Sequence, residues 1–419
     1  MSMPNPAGLK AVALAMPPQG LGGVVLRALP PLSLYVHIPW CVRKCPYCDF
    51  NSHELRGSAR LPGSVPKGEG IDEAVQTRYV NALVADLEGA LPKIWGRRVT
   101  SVFFGGGTPS LISARALDDI LCAVRARVPL DPDAEITLEA NPGTMEAQKF
   151  AEFRALGVNR LSIGVQSFNA KFLKALGRIH DEKQAARAIE NAQRHFDNFN
   201  IDLMYALPGQ TLEQALSDVR EALSWQPPHL SCYHLTIEPN TVFAKYPPQV
   251  PSDDDSADMQ EAIEDLLGSQ GYEHYETSAF ARPGKRCKHN LNYWTFGDYL
   301  GIGAGAHGKL SFPGRVMREV RYRAPNDYMN HAEEDTAVAQ SDSVAPKDLP
   351  FEFMMNALRL TGGFETRLFE ERTGLPLQSV LPRLESAEAK GLLERDLLRI
   401  NPTLKGQRFL NDLLQRFLD

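Results

Sequence analysis

Leu32-Ser-Leu-Tyr-Val-His-Ile38, followed by Pro39-Trp40-Cys41-Val-Arg-Lys-Cys45-Pro-Tyr-Cys48, is the stretch from which the fold of this chain can be read. Its first part is an apolar, β-branched run that reads as a strand, and its second part puts three thiols directly behind that strand. Runs of the same character recur at Val99–Phe104, Glu135–Glu139, Arg160–Val165, Asn200–Tyr205 and Leu230–Ile237. Between them, Gln76–Leu91, Ala114–Val128, Ala147–Leu156, Glu182–His195 and Leu212–Trp225 space their apolar residues near the helical period. Alternating strands and helices predict a parallel sheet. Right-handed crossovers then curl it into a complete or partial barrel, so the fold class is α/β, a partial (β/α)6 barrel of the TIM type. In such a barrel, function lies on the loops after the strands.

The 419 residues are enough for two to three domains by the usual prior of roughly 150 residues each. Residues 1–31 form a leader broken by Pro17, Pro18 and several glycines, with only Lys10 before its apolar middle, so it reads as flexible and not as a signal peptide. Residues 32–250 form the barrel, with a Gly/Pro/Ser-rich loop at Gly57–Gly70. Residues 251–345 extend it, opening on a helix at Ser252–Asp255 because acidic residues favour a helix N-terminus. Residues 346–419 form a small, mainly helical, winged-helix-like domain with a strand pair near Leu392–Ile400.

Composition narrows the function. Apolar residues make up 43% and charged residues 23%, enough for a core that needs no staple. Lys+Arg 45 against Asp+Glu 51 leaves a net charge of −6, without the basic footprint of a general nucleic-acid binder. With a mean hydropathy of −0.27 and no run of about 18 uncharged apolar residues, a membrane span is excluded. Six cysteines are too few for a disulfide-built secreted scaffold and point to a reducing, cytoplasmic setting.

Cys41, Cys45 and Cys48 can wrap one face of a metal or cluster. Iron–sulfur clusters usually take four thiolates, whereas Asp49 and Phe50 follow here. Three ligands on a four-iron cluster would leave one iron open. The alternative is a zinc knuckle completed by His37 or His53. Cys122 and Cys232 read as small core residues; Cys287 sits just before an unusual motif.

The CxxxCxxC loop after a first barrel strand resembles the radical S-adenosylmethionine (SAM) superfamily. In that superfamily the SAM amino and carboxylate groups bind the open iron of a [4Fe–4S] cluster, and an electron from the reduced cluster can cleave SAM. Tyr35-Val-His37-Ile-Pro39-Trp40 and Phe104-Gly105-Gly106-Gly107-Thr108-Pro109 look like the coproporphyrinogen dehydrogenase-like branch, and the pattern is nearest to the HemW heme chaperones. The resemblance runs from about Leu32 to the C-terminus and implies a radical SAM barrel.

Its implied SAM pocket comprises Tyr35, Tyr47, Gly106, Gly107, Thr108, Glu139, Gln166, Arg178, Asp202 and Thr236. Glycines let a ligand approach the backbone closely, Arg178 can pair bidentately with a carboxylate, and Asp202 can accept ribose hydroxyls. Glu139, Gln166 and Asp202 are expected at or near the C-terminal ends of their strands. His289-Asn290-Leu291-Asn292-Tyr293-Trp294 resembles the heme-binding motif of HemW, with His289 as iron ligand, Asn290, Tyr293 and Trp294 beside it, and Cys287 a less favoured competitor. Gly301–Gly308 meets a GxGxxG count without a strand–turn–helix setting, so dinucleotide binding is not expected.

The resemblance therefore implies a chaperone that holds heme and passes it to acceptor proteins, respiratory ones among them, with a homodimer left open. The other reading is an oxygen-independent coproporphyrinogen III dehydrogenase, a radical SAM decarboxylase. Those enzymes resemble CxxxCxxCxC, with a cysteine where this chain has Phe50, and carry a longer N-terminal arm.

Overall fold

The structure is a computed structural model that describes residues 23–55, 70–144 and 147–418. The expected leader up to residue 22 and the expected loop over residues 57–69 lie outside the described residues. Strands β1 (Leu32–Ile38), β2 (Val99–Gly106), β3 (Leu130–Ala140), β4 (Arg160–Gln166), β5 (Phe199–Tyr205) and β6 (His229–His234) lie side by side in chain order, all parallel. The helices between them include α1 (Glu73–Ile94), α2 (Ala114–Arg127), α3 (Ala147–Ala155), α4 (Glu182–His195) and α5 (Leu212–Ser224). Capping boxes start α4 (Asp181 with Gln184) and α5 (Thr211 with Gln214). A third, Ser252 with Asp255, starts α6 (Asp253–Ser269), the helix expected from the acidic run.

The sheet continues past these strands on both sides. The antiparallel pair β7 (Glu273–Glu276) and β8 (Ala279–Ala281) extends it beyond β6. On the other side β9 (Asp298–Ile302) pairs parallel with β1, followed antiparallel by β10 (His307–Phe312), β11 (Arg315–Arg321) and β12 (Val338–Ser343). In the strand order β12 and β7 are the outer edges, so the barrel is partial. The parallel strand β9 was not expected. It is short, opens on Asp298, and contains Gly301, where a Cβ would lie 2.0 Å from the His307 carbonyl oxygen.

The two-residue period of the strands sorts their faces. Leu34 and Val36 of β1, Val102 and Phe104 of β2, Ile136 and Leu138 of β3, Leu161 and Ile163 of β4 and Ile201 and Leu203 of β5 join α1, α2, α4 and α5 in one apolar core. The alternate residues face the barrel lumen and are largely polar, and in-register pairing lines up Tyr35, Phe103, Thr137 and Arg160 across four strands. A short helix, α7 (Lys288–Trp294), stands on this inner face, where His289 bonds Ser101 of β2. The His289 motif is thus helical, with Cys287 at its N-cap.

After α8 (Pro325–Glu333), the chain from α9 (Leu349–Ala357) onward builds a second core with Phe353, Phe369, Leu384, Ile400 and Leu413, joined by Val24 and Leu26. The expected strand pair is present as Leu393–Arg395 and Arg399–Pro402, with Phe364–Glu365 as a third strand.

Asp298 holds β9 in place. It accepts from Lys309 Nζ (3.0 Å), Ser311 N (2.8 Å) and Ser311 Oγ (2.7 Å), and Arg97 lies 2.9 Å away. Lys309 and Asp298 are fully buried, so removing the carboxylate would leave a buried ammonium uncompensated. Asp298→Ala is expected to destabilise the protein by about 3–5 kcal/mol in chemical denaturation; a loss below about 1 kcal/mol would contradict this account of the joint.

Candidate functional site

The cysteine loop leaves β1 and is closed by a short parallel ladder that pairs Trp40 with His53 and Cys41 with Glu54. Lys44 Nζ donates to the Phe50 carbonyl (3.1 Å), and Asn51 Nδ2 donates to the carbonyls of Ala304 and Arg323 (both 2.9 Å), tying the loop to the segments that follow β9 and β11. All six cysteines are free, and Cys41, Cys45 and Cys48 are partly exposed. Burial pushes the Cys41 thiol up to about 11 and also raises Cys48. His37 cannot complete a zinc knuckle: Nδ1 meets the Tyr35 hydroxyl (3.0 Å) and Nε2 the Asn51 carbonyl (2.9 Å), so both nitrogens are engaged.

The thiols are joined through a polar chain that sequence reasoning missed. Thr108 Oγ1 donates to Cys41 Sγ (3.6 Å), Asn141 Nδ2 donates to Thr108 Oγ1 (2.8 Å), and Arg178 donates to Asn141 Oδ1. Arg178 also donates to the Gly164 carbonyl and reaches Cys45 Sγ at 3.7 Å. Cys48 Sγ lies 3.8 Å from Ser52 Oγ. The guanidinium expected to await a carboxylate is therefore already committed to the cysteine loop. Asn141 had a sequence signal, a polar residue immediately after Glu139-Ala140 at the end of β3.

The remaining expected residues divide. Gly106 and Gly107 form a turn, but their bare Cα atoms accommodate this chain itself: a Cβ on Gly106 would lie 2.6 Å from the His37 ring, and one on Gly107 2.5 Å from the Trp40 carbonyl oxygen. Gly106 N donates to Glu139 Oε2 (3.2 Å). Gln166 ends β4 at φ 68°, a left-handed conformation that costs a non-glycine residue energy and is common at functional sites. Tyr35 stacks on Phe103 with ring centroids 6.3 Å apart, and Tyr47 packs on Phe243.

Asp202 lies three residues before the end of β5, which runs to Tyr205 as expected. Its carboxylate sits deeper in the lumen, held by Ser162 (3.0 Å) and Asn200 (2.7 Å). One expectation needs correction: Thr236 is exposed two residues beyond the end of β6, and the expected strand to Ile237 stops at His234 because β5 beside it ends at Tyr205; Leu235 makes the last bond to that strand and drops into a side core.

Deeper still, His289 is only 2% exposed. Its Nδ1 lies 2.9 Å from Ser101 Oγ, which itself donates to Ser33 Oγ (2.8 Å), so the imidazole carries its proton on Nδ1. Nε2 has no partner among the described residues. The ring stacks on Phe103 (4.8 Å) and meets Tyr293 edge-on (5.0 Å). Burial, reinforced by the Arg160 charge, lowers its pKa to about 3, so it is neutral. Glu135 fixes the start of α7, accepting from Cys287 Sγ (3.3 Å), Lys288 N (3.1 Å) and His289 N (3.1 Å). Burial pushes the Cys287 thiol up to about 12, which disfavours it as a thiolate ligand. Tyr293 lies against Tyr299 (4.3 Å), Trp294 is covered by the Arg359 guanidinium (4.3 Å), and Asn290 is half-buried on the same helix.

Glu139 yields a pH test. Burial, with Asp202 adding to it, raises its pKa from 4.5 to about 8. The folded protein then keeps a proton that the unfolded chain releases, so this group costs stability as pH rises from about 4.5 to 8. Glu139→Gln removes that titration. Its stability relative to wild type is expected to rise across this range by on the order of 1 kcal/mol or more, and parallel stability–pH curves would contradict it.

Comparison with known proteins agrees with this architecture. Residues 35–222 match the Radical SAM superfamily and residues 344–409 the HemN C-terminal domain. The chain is 49% identical over 392 residues to the heme chaperone HemW of Escherichia coli (strain K12), spanning 93% of this chain and 99% of that protein. It is 45% identical over 392 residues to the heme chaperone HemW of Haemophilus influenzae, spanning 93% and 98%. Among solved structures, coproporphyrinogen III oxidase (HemN) from Escherichia coli, a radical SAM enzyme, matches with a TM-score of 0.76 over 93% of this chain and 90% of that one. At 24% identity that likeness concerns the fold. With sequence likeness of this extent to named relatives along nearly its whole length, the chain belongs to the HemW heme chaperone family of the radical SAM superfamily.

Proposed function

We propose that this chain holds a [4Fe–4S] cluster on Cys41, Cys45 and Cys48, binds SAM beside it, and carries heme to acceptor proteins in the cytoplasm. The observation that carries this reading is the chain Arg178–Asn141–Thr108, which touches a thiol at each end, Cys45 and Cys41. Hydrogen bonds and a fixed positive charge at sulfur favour the thiolate form that a cluster needs. No cysteine follows Cys48 in the loop; Phe50, 64% exposed, stands where the dehydrogenases resemble a CxC pair.

When bound, the cluster supplies an electron and an open coordination position to SAM. The protein's own residues hold the ligand. Gly106, Gly107 and Thr108 form one wall, with Tyr35 and Tyr47 flanking the loop. Glu139, Gln166 and Asp202 offer hydrogen bonds from the lumen, and Thr236 lies farthest out. Arg178 acts through Cys45 and Asn141 and so positions the cluster loop. For heme, His289 presents an unprotonated Nε2 while Ser101 orients the ring, the arrangement of an iron ligand with its outer support. Because His289 is buried, ligation takes place from the lumen or with α7 displaced, and Asn290, Tyr293 and Trp294 travel with it.

Two experiments test the reading. In anaerobically reconstituted protein, Cys41→Ala, Cys45→Ala or Cys48→Ala is expected to abolish the iron–sulfur charge-transfer absorbance, and retention of the cluster would refute the ligand set. Multiple turnovers of coproporphyrinogen III by the wild type with SAM would make the chain a decarboxylase instead. Separately, His289→Ala is expected to remove the Soret component of the buried site seen on adding heme, and an unchanged spectrum and affinity would move the ligand elsewhere.

A further inference from the structure

A cavity of about 900 Å³ lies between the inner face of β9–β11 and α9, with Tyr299, His307, Arg318, Phe351, Met355 and Leu418 among its walls. That volume falls within the roughly 300–1,000 Å³ typical of cofactor sites. Its sheet wall continues the barrel's inner face, because Ser33 pairs with Tyr299, Tyr35 with Gly301, Tyr299 with Lys309 and Lys309 with Arg318. Tyr299 also packs on Tyr293 of α7, so the cavity and the His289 helix share a wall.

We propose that heme docks first in this cavity with His307 as its iron ligand. The proposal rests on the heme-carrier reading and adds a second, outer site to it. His307 opens β10 and is exposed, and its imidazole makes no hydrogen bond to any described residue, in contrast to the nearly inaccessible His289. Phe351, Met355 and Leu418 supply apolar surface for the macrocycle. Met355 is 42% exposed. At the rim, Lys347 is exposed and forms no ion pair among the described residues, and Arg318 reaches Tyr299 Oη (2.7 Å) while paired to Glu352. Lys347 can therefore meet one carboxylate of the ligand, while Arg318 stays committed to Glu352 and Tyr299, and Glu319 and Asp348 also line the cavity. The step is coordination alone: an imidazole lone pair binds the iron, and no electron or proton is transferred.

The test titrates ferric heme into full-length, cluster-reconstituted wild type, His307→Ala and Met355→Glu, followed by Soret difference spectra and heme EPR. Both replaced residues sit on accessible surface, and unchanged cluster absorbance reports that the variants remain folded. The proposal expects an outer-site Soret component that persists in His289→Ala, and expects His307→Ala and Met355→Glu each to weaken that component at least about tenfold, with His307→Ala changing its heme EPR signal. Either variant binding as tightly as wild type overturns the outer site while leaving heme carriage through His289 intact. A wild type that binds no heme overturns both, and the wild-type titration alone shows it.

Discussion

Everything in this protein hangs on the register of its parallel strands. Because side chains alternate faces, a slip by one residue would turn Ser33, Tyr35 and His37 toward α1 and α2 and push Leu34 and Val36 into the lumen. Apolar contact with the helices holds the register on one face. The polar lumen is its consequence on the other, and Glu139, Asp202, Ser101 and the partners of His289 all belong to that inner set. The cysteine loop is attached to this frame at its upper rim and α7 lower down.

Glu135 and Arg178 show how a few charged groups turn the frame into a site. Glu135 collects the first two amides of α7 and the Cys287 thiol, anchoring the motif helix where its partly positive end meets a carboxylate. Arg178 does the corresponding work for the cysteine loop. Both groups are satisfied by hydrogen bonds inside the barrel, as burial requires. The same economy applies at the outer joint, where Asp298 neutralises Lys309 and Arg97 at the edge of β9.

Much of this was legible along the chain. The boundaries of β1 and α4 coincide with their apolar runs, and other strands agree to within a few residues, since period and capping residues are local properties. The helix at Ser252 was readable from its acidic first turn. Strand β9 was not, because a short segment with a charge and a glycine becomes a strand only through neighbours on both sides. Thr236 was misplaced because β6 ends where its neighbour β5 ends, at Tyr205. The depth of Asp202 depends on how far β5 runs on beside β6.

The spacing of Cys41, Cys45 and Cys48, the glycine turn and the His289 motif are short-range patterns, and they alone were enough to assign the chain to a family. Which groups meet was a different matter. Arg178 reaches Cys45 across 133 positions, His289 reaches Ser101 across 188, and Asn51 reaches Ala304 across 253. Such contacts cost chain entropy that no local preference can offset. They form only after the whole ladder has closed, which is why the hydrogen-bonded support of the thiols, the tautomer of His289 and the cavity beside Tyr299 emerge from the folded protein and not from its one-dimensional text.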